Sequence, residues 1–332
     1  MSRLEVALDR PGRHHGALIV PWSRDGSAYG QLVVPVVVLH GCPGPTALLV
    51  AGVHGDEYEG QIVLPELART LDPASLQGRV ILMPRANPPA AAAGRRTSPV
   101  DGGNLARLFP GDPRGGLTAS LADAIMRHLL PLADLVLDLH AGGRSLEYVP
   151  CAWGRLPDDF RQAEQVLDLL LAFGADATAV VARPESGGTL VAAALDAGRP
   201  AMAAELGGGG GVTPASLAAA RQGCLRVLAH LGILRDAPSP RPGRLLAVHA
   251  RDFLRSPRAG LFEPLFTLGQ EVAAGDLAGW LHDPERPECA PLALAFAASG
   301  IVLCCRAPAI CEPGDVLAHL AEDTDRTAML SR

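Results

Sequence analysis

The chain has 332 residues, 48% hydrophobic and 19% charged, which gives enough apolar material for a large buried core and argues against disorder. All 29 basic residues are arginine, which excludes Schiff-base lysine chemistry, a Walker-type phosphate lysine and lysine-tethered cofactors. A net charge of −6, with no basic run longer than Arg95-Arg96, argues against a nucleic-acid partner.

At roughly 100–200 residues per domain, one large domain and a smaller one are expected. The longest apolar stretch, 31–39, is far too short to span a bilayer. No charged start followed by an apolar stretch and a cleavage site is visible, so a cytoplasmic protein with no membrane partner is expected. Residues 47–51 form a short apolar run closed by Gly52, which predicts a buried strand. From Glu57 to Leu71 apolar residues recur at helical spacing, and 79–83 predicts a second strand stopped by Pro84. Between Asn87 and Arg114 the chain is rich in Gly, Pro, Arg and Asp without period; loops this long in compact domains are functional or disordered.

Helical spacing returns over 118–130, and 135–139 is another buried strand. Then come helices near 161–172, 189–197 and 214–232, alternating with strands near 178–182 and 201–205. This order predicts an α/β fold: a mixed, largely parallel sheet flanked by helices.

Residues 236–243 read as a linker, dividing the chain into domains 1–240 and 243–332. In the second domain Gly275-Asp276 and Gly314-Asp315 occupy look-alike stretches, each in a turn before a strand. That repeat resembles the pseudo-symmetric barrel of lipoyl and biotinyl domains. Without lysine it can carry neither cofactor, so it reads as a structural or site-covering β domain. The seven cysteines (42, 151, 224, 289, 304, 305, 311) show no CxxC pairing and are expected to be reduced, buried thiols. A metal cluster at Cys304, Cys305 and Cys311 is the alternative.

Three motifs sit where predicted strands end. In Gly52-Val-His54-Gly55-Asp-Glu57 an imidazole and a carboxylate three residues apart can converge on one point, and the glycines permit a tight strand-to-helix passage. Asp138-Leu-His140 brings a second imidazole to the same edge of a parallel sheet, where open α/β folds place ligands. Two His and one Glu with an open position form a catalytic zinc set; the other reading of His140 is a hydrogen-bonded core histidine. Asp138 points the same way as His140, either as its partner or as a buried structural carboxylate. Glu205 closes an apolar strand and is followed by Leu206 and five glycines, 207–211. It reads as a general base or as a capping or salt-bridged carboxylate.

These motifs, together with Arg96-Thr-Ser-Pro-Val-Asp-Gly-Gly-Asn104-Leu-Ala-Arg107-Leu-Phe-Pro-Gly, resemble the succinylglutamate desuccinylase and aspartoacylase family, which shares the zinc carboxypeptidase fold. The resemblance covers about 48–234 and is closest to the N-acetyl-diaminobutanoate deacetylase branch, linked to ectoine breakdown. It implies that His54, Glu57 and His140 bind one Zn2+, that Glu205 is the base, that Arg96 polarises the scissile carbonyl and that Arg107 pairs with the substrate carboxylate. The family shows Asn-Arg where this chain has Ala106-Arg107, so carboxylate anchoring is expected to weaken or to pass to Asn104. The implied partner is a small-molecule N-acyl amino acid, acetylated or carrying another acyl group such as succinyl. Rival readings are a metallocarboxypeptidase and a catalytically silent binding protein. The sequence leaves open whether the chain forms a homo-oligomer.

Overall fold

The computed structural model describes residues 1–181, 187–239 and 243–331. Residue 182 of the expected 178–182 strand and residues 240–242 of the expected linker lie outside the described residues.

The apolar runs become the middle of one large sheet. Gln77–Met83, Cys42–Ala51, Leu135–His140 and Ala201–Glu205 lie side by side in that order, all parallel. Residues 135–139 are all buried, as are 46–51. Strands covered on both faces are apolar throughout rather than alternating, which is why these runs were visible as strands. The helices that cover them include Glu59–Thr70, which packs on Pro214–His230, and Pro214–His230 packs in turn on Phe160–Phe173. Leu117–His128 and Leu190–Asp196 complete the expected set.

Three differences from expectation stand out. Gly12–Pro21 and Gln31–His40 pair antiparallel along their whole length and join the sheet at Gln77–Met83. Cys151–Arg155 inserts antiparallel beside Ala201–Glu205 and runs parallel to Ala177–Val181; its Trp, Gly and Arg hide it from any search for apolar runs. The first helix begins at Glu59 rather than at Glu57, so Glu57 lies with His54 in the turn before it.

Beyond residue 243 the chain remains hydrogen-bonded to the large sheet. Arg244–Val248 runs parallel to Ala177–Val181 and antiparallel to Val316–Asp323. A separate antiparallel sheet follows the order Leu292–Ala295, Leu277–His282, Gly260–Pro264, Ile310–Cys311. The look-alike stretches make matching turns. Ala273 N–H donates to Asp276 Oδ2 (2.8 Å) before Leu277–His282, and Glu312 N–H donates to Asp315 Oδ2 (2.9 Å) before Val316–Asp323. Val272, Ala278, Phe296, Val302, Ala318 and Leu320 form a core cluster of their own.

All seven cysteines are free; Cys151, Cys224, Cys304 and Cys311 are buried as expected, whereas Cys42 and Cys289 are exposed. Among the described residues no cysteine belongs to a group able to hold a metal ion. No helix of the described residues is long and apolar enough to cross a membrane.

Candidate active site

Parallel register sets the frame. Asp138 pairs with Ala203 and His140 with Glu205 across neighbouring strands. Residues two apart on a strand share a face, so Asp138, His140 and Glu205 project to the same side. The backbone keeps this alignment past the strand ends, where Leu206 N–H donates to His140 O (3.0 Å) and Gly142 N–H to Gly207 O (2.9 Å). The glycine run is therefore stitched to the segment after His140. At Gly208, whose φ is +143°, a Cβ would meet Leu146 O at 2.1 Å, so a side chain there would force the two apart.

His54 and Glu57 arrive from the end of Cys42–Ala51 through a turn that begins at Gly52, with φ +68°. Gly55 presses on the next segment so closely that a Cβ would lie 2.0 Å from Ala90 O. Its N–H donates to Arg95 O (2.8 Å), which fixes the neighbouring Arg96 beside the turn. The 87–114 region is thus an ordered wall of the site. It contains the helix Pro88–Ala93 and the turn Leu105–Arg107, and Asp101 accepts from the Thr118 N–H and hydroxyl, both at 2.7 Å.

Glu57 is the centre of the cluster and is buried. Its Oε1 lies 2.6 Å from His54 Nδ1, and its Oε2 lies 2.9 Å from His140 Nδ1 and accepts from Ala141 N–H (3.1 Å). One ligand atom each from His54, Glu57 and His140 fall within 4.8 Å of one another. The outer ring nitrogens have partners of their own. His54 Nε2 lies 3.1 Å from Asn104 Oδ1, and His140 Nε2 lies 2.9 Å from Asp138 Oδ2. Acceptors held against Nε2 favour the proton there and leave the Nδ1 lone pairs turned inward, the arrangement in which an outer carboxylate or amide orients a ligating imidazole.

The donor set fits a divalent cation: two inward imidazole nitrogens and one carboxylate whose oxygens face them. Electrostatics agree. Burial alone would raise the Glu57 carboxyl, but His54 and His140 outweigh it and hold Glu57 far below the usual carboxylate range. Burial alone would lower His140, but Asp138 and Glu57 outweigh it and raise it well above the ordinary imidazole value.

Glu205 stands in the opposite environment. Burial, then the Glu57 charge, push it up to about 8, against the lowering effects of His140 and Arg96, and its Oε2 is buried without a hydrogen bond. Arg96 Nη1 lies 3.4 Å from both Glu57 Oε1 and His54 Nδ1. Arg107 is depressed by burial and by Arg96 while Glu205 raises it, which places it in the same field. Its Nη1–H donates to Ala106 O (2.8 Å).

Two residues acquire roles the sequence left open. Asp138 is the partner of His140, and the strand parity that put them on one face was the signal for it. Asn104, expected beside the substrate carboxylate, is engaged through Oδ1 with His54 and with the Ala106 N–H (3.1 Å). Ala106 itself is buried in the main core.

Residues 43–231 match the succinylglutamate desuccinylase/aspartoacylase catalytic domain. The N-alpha-acetyl-L-2,4-diaminobutyric acid deacetylase of Halomonas elongata is 40% identical over 320 residues, covering 96% of this chain and 94% of its own. Among solved structures, a succinylglutamate desuccinylase/aspartoacylase from Rhodobacter sphaeroides superposes with TM-score 0.93 at 37% identity, over 98% of this chain and 99% of the other. The product-bound ectoine utilization protein EutE of Ruegeria pomeroyi superposes with TM-score 0.93 at 38% identity, over 97% and 98%. The matched span contains every residue of the site just described, and the likeness extends over nearly the whole chain: it belongs to the succinylglutamate desuccinylase/aspartoacylase family.

Proposed function

We propose that the chain is a zinc-dependent hydrolase that cleaves the amide bond of a small N-acyl amino acid, N-acetyl-2,4-diaminobutyrate or a close analogue, releasing acetate and the free amino acid. The observation that carries this reading is the convergence of His54, Glu57 and His140 on one point with Glu205 in register beside them. The 40% identity to a diaminobutyric acid deacetylase favours the substrate class.

His54, Glu57 and His140 would hold the zinc. When bound, the ion supplies Lewis acidity that polarises the scissile carbonyl and brings the pKa of water towards ~7. Glu205 takes the proton of the attacking water and returns it to the leaving amine. A carboxyl pushed up to about 8 suits that role, because proton transfer is most efficient when the carrier titrates near the working pH. Arg96 donates to the oxygen that becomes negative; losing such a donor costs roughly 10²–10³ in rate. Arg107 receives the substrate carboxylate with a planar fork of donors. Asn104 orients His54 through Oδ1, a role that its 3.1 Å contact with Nε2 supports.

The division into 1–240 and 243–332 belongs to the same proposal. The paired Gly-Asp turns and the separate core cluster support a repeat of the lipoyl or biotinyl kind, serving as structure rather than as a cofactor carrier.

A hydrolysis panel of acetyl-diaminobutyrate, acetyl-aspartate, succinyl-glutamate and short peptides on zinc-reconstituted protein tests the function. Preference for the peptides would replace the reading with a carboxypeptidase. Glu205→Gln should retain zinc and lose turnover; an active Glu205→Gln enzyme would remove Glu205 from the mechanism.

A further inference from the structure

Far along the sheet from Glu57, where Arg244–Val248 ends, the chain turns through Ala250–Asp252 and returns alongside Val316–Asp323. The turn is closed by Asp252 N–H donating to His249 O (3.1 Å), and Glu322 sits opposite Ala247 on the neighbouring strand. One ligand atom each from His249, Asp252 and Glu322 lie within 4.8 Å of one another. We propose that these three side chains form a second divalent-metal site, of the zinc type, that ties the turn after Arg244–Val248 to the neighbouring strand Val316–Asp323.

The Asp252 carboxylate is the independent observation. Its side chain is 1% exposed, yet among the described residues neither oxygen accepts a hydrogen bond. Burying an ionised carboxylate without donors is costly, and proteins retain such groups where something neutralises them. Among the described residues the guanidinium that pairs with it is that of Arg251, with Nε 3.5 Å from Asp252 Oδ1 and Nη2 3.7 Å from Glu322 Oε1. Neither contact is short enough for a strong charge-assisted bond. One guanidinium also leaves two carboxylates with a net negative charge, whereas a dication neutralises both. Arg251 is 72% exposed and free to swing into solvent when a smaller ion enters.

Spacing and chemistry agree. His249 Nε2 stands 3.9 Å from Glu322 Oε2, too far for a hydrogen bond. Ligands bound at ~2.0–2.2 Å are roughly 3–3.5 Å apart, so a small rotamer adjustment closes the cage. One imidazole and two carboxylates suit zinc or manganese better than calcium or magnesium, which take oxygen ligands. The site shares no residue with the His54–Glu57–His140 cluster, so its fate does not depend on the hydrolase reading.

The test is a zinc count on chelator-stripped, re-dialysed full-length protein by plasma mass spectrometry. Asp252→Asn and Glu322→Gln should each bind one zinc per chain fewer than the wild type, whatever the first site holds. Glu322 is half-exposed, so Glu322→Gln keeps the test informative if Asp252→Asn fails to fold. Arg251→Ala removes the competing cation and should bind the same count as wild type at several-fold lower free zinc. Equal counts in wild type, Asp252→Asn and Glu322→Gln would overturn the proposal and leave the cluster an ion-pair network.

Discussion

Asp138 offers the sharpest test of how the metal cluster is built. Its Oδ2 is 2.9 Å from His140 Nε2, its side chain is 2% exposed, and Oδ1 has no hydrogen bond. Water screens this buried pair little, so the carboxylate acts strongly on the ring that, in the proposed function, would ligate through Nδ1. Removing a partner of this kind costs 10–100-fold in metal affinity, about 1.4–2.7 kcal/mol. Asp138→Asn keeps the volume and an acceptor oxygen but loses the charge, so it should fall near the tenfold end. Asp138→Ala loses both and should approach a hundredfold. The pH dependence adds a second signature. Asp138 is the largest of the influences that raise His140, so without its charge the ring releases its proton at lower pH. Proton competition for Nδ1 then weakens, and the deficit of Asp138→Asn should be largest at pH 8 and shrink as pH falls towards 6. Competition against a chromophoric zinc chelator at both pH values measures this. Wild-type affinity in Asp138→Ala, or a deficit that widens at low pH, would refute the reasoning.

Asn104→Ala removes the acceptor facing His54 Nε2. Zinc affinity should drop about 10–100-fold; a raised KM with unchanged affinity would instead return Asn104 to the substrate carboxylate. Arg107→Lys exchanges a planar fork for a point charge and should raise KM about tenfold with kcat nearly unchanged, measured by steady-state deacylation; an unchanged KM would remove Arg107 from substrate binding. Glu59 is buried with neither oxygen hydrogen-bonded, and burial pushes it up to about 7. A folded-state value above the unfolded 4.5 means the native protein binds the extra proton, so stability is lost as pH rises through 4.5–7. Glu59→Gln should therefore match wild type near pH 4.5 and exceed it by about 3 kcal/mol at pH 8, read from urea unfolding. A difference that does not grow with pH would show that Glu59 is not the source.

What the sequence made legible was whatever is local or periodic. His54 and Glu57 are three residues apart, so their meeting needed only a tight turn, and Gly52 supplies it. Leu135–His140 and Ala201–Glu205 are apolar runs ending in a polar residue, which marks both the strand and the edge at which it stops. Contacts across unrelated segments were not legible. Nothing near Asn104 announces that its oxygen will meet His54, because that contact depends on how the 87–114 loop folds over the sheet edge. The helix start was misplaced by two residues because Tyr58 already has near-helical angles (φ −104°, ψ −23°) without belonging to the helix. The Gln31–His40 strand was passed over although 32–39 is an unbroken apolar run, because Pro35 in its middle argues against a ladder position.

The two central carboxylates show why the arrangement can do acid–base work. Glu57 and Glu205 are both buried, and desolvation raises each of them. Glu57 faces two imidazoles and the Ala141 N–H, which hold it far below the usual carboxylate range. Glu205 feels that anion as a like charge and keeps one oxygen unpaired, so its carboxyl is pushed up to about 8. Pairs of carboxyl groups driven apart in this way divide the labour between a fixed charge and a proton carrier. The division follows from strand register: sliding Ala201–Glu205 by one residue would turn Glu205 to the other face and leave Leu206 or Ala204 beside His140.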